Sequence, residues 1–409
     1  MRIAVVTLLY GPDGGPSAPL YRELCESLAA RGHDVTVLAA VPHYPTGRVA
    51  GAWRSAARRA ELVGGVRVIR LPVPSVDRAR LPFRLLQFLV FQLRAAWAAL
   101  RLSPDVALVG NPALEVFLPF VALASVKRVP TVFSVHDVYP DVGVALGVFR
   151  SRAVVAVVEW LERYCVSRAV ALRILAPSFA GPARRLRARA VRLIYDWVPA
   201  ERFEARPRCN DFALHHKLVD RFVVLYAGNL GFSQGLEHVV AAAARMRDDA
   251  EVAFVFVGDG AMREPLEQAV QAAGLTNVVF LPFQPADRVP DVLATADVCL
   301  VPLRRGLGRG SLPSKTLSIF AAGRPVLAAV DGDSDLADLV RRSGAGICVA
   351  PEDPEALAAA IVTLKRDEAS RARMASAGRR FAHEHHRLEP AVDAFEDTLA
   401  TAAAGGRHR

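Results

Sequence analysis

Cysteine is scarce and unpatterned in this chain. Cys25, Cys165, Cys209, Cys299 and Cys348 are odd in number and show no paired spacing across 409 residues. That excludes a disulfide framework and a thiolate zinc site, and fits buried thiols in a reducing compartment. No apolar run approaches the roughly 18 residues that a membrane span requires; Leu85–Leu93 and Ala153–Val158 are among the longest. Met1-Arg2 leads directly into the strand-like IAVVTLLYG, with no basic leader region or cleavage site. A soluble, cytoplasmic chain is expected. Metal-ligand clusters are lacking too. His383, His385 and His386 have no acids at ligand spacing, so no metal is expected and activity should survive chelation. Without a recognition helix, zinc knuckle or aromatic–basic interleaving, nucleic acid is not an expected partner.

Positive charge, by contrast, is abundant and uneven. The net charge is +10, and between Arg48 and Arg101 eleven arginines face only Glu61 and Asp77. A second cluster comprises Arg184, Arg185, Arg187, Arg189 and Arg192. Solvated helix faces would account for such runs, as would attraction to an anionic surface. The segment Arg80–Arg94 favours the surface, because Arg80, Arg84 and Arg94 flank a helix carrying Phe83, Leu85, Leu86, Phe88, Leu89, Phe91 and Leu93. That composition suits peripheral binding among anionic headgroups at the inner face of a cell membrane. So many large side chains exceed one amphipathic stripe, so part of the segment is expected in the core.

The length suits two domains of about 200 residues. Short Val- and Leu-rich strands alternate with helical patterns throughout, which predicts α/β architecture with parallel sheets covered on both faces. Strands are expected at Ile3–Leu9, Val35–Ala39, Val66–Leu71, Val106–Gly110, Thr131–Val135, Ile174–Ala176 and Arg192–Ile194, and again at six positions from Val223 to Val349. The polar segment 199–211 reads as a linker between domains 1–198 and 212–385, with 386–409 as a C-terminal segment whose tail from Thr401 is frayed. Two Rossmann-like doubly wound domains facing a central cleft follow from this pattern.

The segment VVLYAGNLGFSQGLE from Val223 to Glu237 passes from a buried strand through Gly228, Gly231 and Gly235 into a helix. Free backbone N–H groups at such a junction suit an anion, usually a phosphate, although plain strand–helix turns look the same. A second unit of this kind opens the chain, with Ile3–Leu9 running through Gly14 and Gly15 into a helix near Pro19. Ligands of doubly wound sheets bind beyond the carboxyl ends of strands. His136 and Asp137 follow such a strand, so a catalytic role is weighed there against a structural one.

Five segments in order resemble glycosyltransferase family 4, retaining enzymes of GT-B architecture: Gly14-Gly15-Pro16 with Arg31-Gly32-His33-Asp34-Val35; Ser134-Val-His-Asp-Val-Tyr-Pro-Asp141; Tyr226-Ala-Gly-Asn-Leu-Gly231 with Gln234-Gly235; Val257-Gly-Asp-Gly260; and Leu312-Pro-Ser-Lys315 through Gly323-Arg-Pro-Val326. Within the family, the subgroup transferring N-acetyl-fucosaminyl or fucosyl units to O-antigen and capsule is the most similar. The resemblance implies an N-terminal acceptor-binding domain and a C-terminal domain binding the nucleotide-sugar, its base near Phe283 and Gln284. It also implies that His136 sits close to the transferred sugar, with Asp137 beside it as a base or acceptor-orienting group.

Two departures matter. The family's paired glutamates fall here on Gly310 and Ser318, so their roles do not carry over; Ser318 retains one hydroxyl for a ribose bond. Asp335 is a candidate replacement carboxylate, or only a helix N-terminal charge. Where many members have arginine and lysine, this chain has Asn229 and Gln234. A departing diphosphate needs compensating donors. Backbone N–H groups at Gly14, Gly15 and the helix starting near Ser314 are candidates, with Lys315 preferred over Arg309 as the cation.

The expected function is retaining transfer of an N-acetylated or 6-deoxy hexose from a nucleotide diphosphate to a polyprenyl-linked or other glycan acceptor in cell-surface polysaccharide biosynthesis. No cofactor is expected. A non-hydrolysing nucleotide-sugar epimerase, or a catalytically silent membrane-associated partner of a sugar assembly complex, are the alternatives.

Overall fold

The computed structural model describes residues 1–15, 17–44, 46–49, 51–54, 59–76 and 81–406, divided into two compact units. Unit 1 comprises Met1–Asp196 together with Leu388–Arg409, and unit 2 comprises Trp197–Arg387.

Unit 1 runs β1 (Arg2–Val6), α1 (Ala18–Ala30), β2 (Asp34–Ala40), α2 (Gly51–Arg54), β3 (Arg59–Val63), β4 (Val66–Leu71), α3 (Leu81–Arg101), β5 (Val106–Gly110), α4 (Ala113–Phe120), β6 (Thr131–Val135), α5 (Asp141–Ala145), α6 (Arg152–Arg168), β7 (Ala171–Ile174), α7 (Ala180–Arg185) and β8 (Val191–Leu193). Its eight strands lie in the order β3-β4-β2-β1-β5-β6-β7-β8. All pairings are parallel except β3 with β4, an antiparallel hairpin closed by Gly64-Gly65. The sheet expected to be purely parallel thus carries one antiparallel edge. The Gly-Gly pair between two strand-like runs is an ordinary hairpin signal, here obscured by the arginines around it. Pro119 lies inside α4, and the backbone continues as a π-helical segment over Val121–Val126, as suits a helix that has lost one i→i−4 bond to proline.

Unit 2 runs α8 (Asp211–His215), β9 (Phe222–Ala227), α9 (Leu236–Arg245), β10 (Val252–Val257), α10 (Arg263–Ala272), β11 (Val278–Leu281), α11 (Val289–Thr295), β12 (Val298–Pro302), α12 (Lys315–Ala321), β13 (Val326–Ala329), α13 (Asp335–Ser343), β14 (Gly346–Val349), α14 (Pro354–Arg366) and α15 (Glu368–His385). Its strand order is β11-β10-β9-β12-β13-β14, parallel throughout. β9, β10 and β12 are buried almost end to end, so they read as continuous apolar runs. Phe222, Val224, Tyr226, Phe254 and Phe256 join Leu236, Val240 and Ile361 in the core beneath α9 and α14.

The chain then returns to unit 1 as α16 (Leu388–Gly406), burying Val392, Phe395 and Leu399. The tail expected to fray from Thr401 is helical through Gly406, and residues 407–409 lie outside the described part. Segment 199–211 is no free linker. It packs within unit 2, where Arg206 bonds Asp291 (2.8 Å) and Arg208 grips both oxygens of Asp297 (2.9 and 2.8 Å). The unit boundary falls at Asp196 rather than 198.

Candidate functional site

β9 lies between β10 and β12, the point where the strand order of unit 2 reverses. Doubly wound sheets open a crevice beyond the carboxyl ends of such strands. A pocket of about 190 Å³ occupies that place, lined by Ala227 and Gly228 after β9, Phe283 and Gln284 after β11, Leu293 of α11, and Lys315 and Ser318 of α12. Lys315 is the one charged side chain among the described residues lining it.

The lysine is held closely. Its Nζ stands 3.8 Å from the ring centroid of Tyr226, whose hydroxyl donates to the Asn229 carbonyl at 2.6 Å. A Cβ at Gly228 would come within 2.8 Å of Nζ, so the glycine makes room for the amine. Burial brings the Lys315 ammonium down to about 7, and no carboxylate among the described residues counters it. An aromatic face supplies some compensation. An incoming anion would supply far more.

Phe283, Gln284, Lys315 and Ser318, all singled out from sequence, meet around this pocket. The others are placed elsewhere. Gln234 serves its own loop: Oε1 accepts from Gly231 N (3.1 Å), and Nε2 donates to Ser233 Oγ (2.8 Å). With Gly235, it borders a separate cavity of about 10 Å³ beside His238 and Leu303. Asn229 packs its side chain beside Gly231 and Gly260. Ser314 is the exposed residue before α12, while Gly310 is buried in a turn on Leu307. Asp335 is the first residue of α13, a helix capped by Ser334 Oγ on Ala337 N (3.1 Å), and it does not line the pocket. Arg309 is ion-paired with Asp333 on the surface.

In unit 1 the order reverses at β1, which lies between β2 and β5. Gly14 and Gly15 belong to the loop after β1, and the Gly15 carbonyl accepts from Ala18 N (3.0 Å) at the start of α1. Asp13 fixes that loop, its carboxylate accepting from His43 N (3.0 Å) and Tyr44 N (3.2 Å). His136 follows β6. Its Nε2 lies 3.1 Å from the Tyr21 hydroxyl and 3.4 Å from Ser134 Oγ, and the Tyr21 ring meets the imidazole edge-on. Burial and the nearby Arg173 guanidinium pull the His136 imidazole down to about 4, so it is neutral at physiological pH. Burial likewise raises the Tyr21 phenol, which stays protonated.

Asn111, just after β5, clamps the loop from both ends of one amide. Oδ1 accepts from His136 N (2.8 Å) and Nδ2 donates to the Asp137 carbonyl (2.6 Å). Sequence reasoning missed Asn111, Tyr21 and Tyr226. An Asn-Pro pair following a buried strand was the available signal for the first; the tyrosines read as ordinary core positions. Behind the loop, Glu162 of α6 is buried against Ala113 N at 2.7 Å, and burial raises its carboxyl to about 8. Of the three C-terminal histidines, His385 and His386 are set against Phe381, and His383 is exposed. No group of three or more metal-ligating side chains is assembled among the described residues.

Two family models match the chain: "Glycosyl transferase 4-like domain" over residues 14–196 and "Glycosyl transferases group 1" over residues 210–381. The chain is 31% identical to the putative colanic acid biosynthesis glycosyl transferase WcaI of Escherichia coli (strain K12), covering 88% of this chain and 91% of that protein. In structure it resembles sucrose-phosphate synthase from Thermosynechococcus elongatus, with a TM-score of 0.79, 20% identity and coverage of 99% of this chain and 100% of that one. It also resembles Anabaena HepE, solved in complex with UDP-glucose, with a TM-score of 0.74 at 18% identity over 98% of this chain and all of that one (100%).

Proposed function

The chain belongs to the glycosyltransferase family described by the group 1 and 4-like domains, with the two parallel-sheet α/β domains of GT-B enzymes, and from this premise we propose that it transfers a hexose from a nucleotide diphosphate with retention of configuration. The acceptor is a polyprenyl-linked or other glycan in cell-surface polysaccharide assembly, a reading supported by the likeness to a colanic acid enzyme. N-acetylated and 6-deoxy sugars remain the preferred donors, and no metal or other cofactor is invoked. The enzyme works on the cytoplasmic side, where nucleotide-sugars are available. Family membership favours transfer over the epimerase and silent-partner alternatives.

One observation carries this reading: at the topological switch point of unit 2, a lysine with no carboxylate partner among the described residues closes a pocket. There Lys315 meets the diphosphate, Phe283 and Gln284 flank the base, and Ser318 bonds a ribose hydroxyl. The UDP-glucose complex of the HepE structure supports a ligand of this kind. As the glycosidic bond breaks, negative charge grows on the leaving phosphate oxygen, and a fixed ammonium stabilises that charge more than it stabilises the ground state. The acceptor hydroxyl attacks the anomeric carbon from the face the diphosphate leaves, and its proton passes to the departing phosphate oxygen. His136, neutral and engaged by Tyr21, acts by hydrogen bonding to the sugar rather than as a strong base. Asp137, held on the same loop by Asn111, orients the acceptor.

Calorimetric titration with UDP-, GDP- and dTDP-sugars, in EDTA, tests the donor site. The cognate nucleotide diphosphate should bind, and Lys315→Ala should weaken it by at least tenfold while the nucleoside alone is held as before. Equal loss for nucleoside and diphosphate would make Lys315 structural and sink the assignment. Transfer itself is tested by diphosphate release that depends on a polyprenyl-linked acceptor.

A further inference from the structure

One helical layer of unit 1 turns large apolar side chains to solvent. α3 packs on α4, and α4 on α6, along the same sheet. On the inner side of α3, Gln87 donates to the carbonyls of Gly47 (3.1 Å) and Pro74 (2.8 Å), and Gln92 bridges Leu114 O and Leu118 N of α4 (both 3.1 Å). On its outer side, Leu86, Leu89, Leu93, Trp97 and Leu100 are 41–55% exposed. Their spacing of three or four residues makes one continuous helical stripe. α6 extends the apolar surface with Val157 (57% exposed) and Trp160 (56%), the latter 5.4 Å from Phe117 of α4. The π-helical end of α4 joins both neighbours, Lys127 Nζ donating to Leu100 O (2.9 Å) and Ser125 Oγ meeting Tyr164 OH (2.8 Å).

The exposed cations of this layer outnumber its acids. α3 contributes Arg94 and Arg101 and no acid, and α4 contributes one acid, Glu115. Arg128, Arg152 and Arg168 stand exposed around α6 and the end of the π-helical segment. The acids of α6 are engaged internally: Glu159 pairs with Arg163 (3.0 Å), and Glu162 is buried on Ala113 N.

We propose that the outer face of α3, α4 and α6 lies on an anionic phospholipid bilayer, with leucine and tryptophan at the acyl boundary and arginine among the headgroups. Helices parallel to the surface with this composition bind by apolar burial and electrostatic attraction together. α3 is apolar and long enough to cross a membrane by composition alone. It does not cross here, because Gln87, Phe91, Ala95 and Ala99 are buried in unit 1 and the glutamines hold other segments. A second copy of the chain is a poorer occupant. Stacking the face on itself would bring arginines against arginines, whereas headgroup phosphates complement them. The face is also wider than Arg80–Arg94: Arg80 lies outside the described residues, Phe88 and Phe91 belong to the core, and α6 adds a second helix.

Vesicle sedimentation of the full-length protein tests this, with phosphatidylglycerol-containing and pure phosphatidylcholine vesicles at low and high salt. Anionic vesicles should bind at least tenfold more protein at low salt, and the excess should fall as salt rises. Leu89→Ser with Leu93→Ser, both exposed, should reduce binding by at least tenfold with an unchanged thermal transition. Should this variant fail to fold, Arg94→Glu with Arg101→Glu must abolish the preference for anionic vesicles. Equal binding to both vesicle types, binding to neither, or undiminished binding by a folded variant overturns the proposal. A concentration-dependent dimer that the leucine variant disperses, without vesicle binding, overturns it in favour of a second copy.

Discussion

At the scale of single residues, Lys315 gives the donor site a pH dependence of known sign. The free amine titrates near 7, and a bound diphosphate raises it, because the charged form gains the new partner. Below 7 the ammonium is already present and affinity is level in this respect. Above 7 binding must take up a proton, so affinity falls by up to tenfold per pH unit until the bound-state value is reached. Calorimetry at pH 8 in two buffers of different ionisation enthalpy should show proton uptake on nucleotide diphosphate binding, and Lys315→Met should remove it. No uptake in the wild type would mean the amine does not face the phosphates. Sequence alone pointed to Lys315 by its place in the Pro-Ser-Lys segment, and to Phe283, Gln284 and Ser318 around it. It could not show the perch on Tyr226, because a tyrosine in a buried strand carries no mark of what lies over its ring. Gln234 misled for a related reason: a polar side chain in a glycine loop satisfies the loop's own backbone as readily as a ligand.

At the scale of elements, the donor pocket depends on how closely two strand ends approach. Gly258, just after β10, has φ +150°, and a Cβ there would fall 1.9 Å from the Gly228 carbonyl oxygen. Gly258→Ala should therefore push the β9 loop off its position. A stability loss of about 1–3 kcal/mol is expected, as for overpacking in a filled core, with at least tenfold weaker nucleotide binding by calorimetry. Unchanged binding would show that the loop's position is unimportant for the donor. Most elements were legible because parallel strands buried on both faces read as short Val- and Leu-rich runs, and twelve such signals sat within a few residues of the observed strands. The sixth, Ile174–Ala176, fell late in its strand. β7 begins at Ala171, and Arg173 interrupts its apolar run, an interruption that the fold tolerates because Asp196 (2.5 Å) and Ile194 O (2.9 Å) receive the guanidinium. The hairpin strand β3 was hidden by charge in the same manner.

At the scale of the molecule, α16 ties the end of the chain to the domain it began. Glu396 accepts from Arg31 (2.6 Å) and meets His33 (2.8 Å), while Val392, Phe395 and Leu399 are buried. Fully burying a side chain of that size stabilises by about 1.5–3 kcal/mol, so removing all three forfeits a sum comparable to the stability of a domain. A chain ending at Arg387 should lose or sharply lower the thermal transition of unit 1, measured by calorimetry, while the transition of unit 2 stays near its wild-type temperature. Two transitions at their original temperatures would show that α16 is dispensable. Nothing in the alternation of strands and helices announced this return, since periodicity reports that a helix is amphipathic and not which domain it covers. The return also imposes an order on biosynthesis. Elongation through the roughly 190 residues of unit 2 at about 5–20 residues per second takes about 10–40 s. For that interval the nascent first domain has its sheet but not its last helix, leaving the apolar positions that Phe395 and Leu399 will cover open to solvent or to a chaperone. The domain translated first is therefore the one completed last.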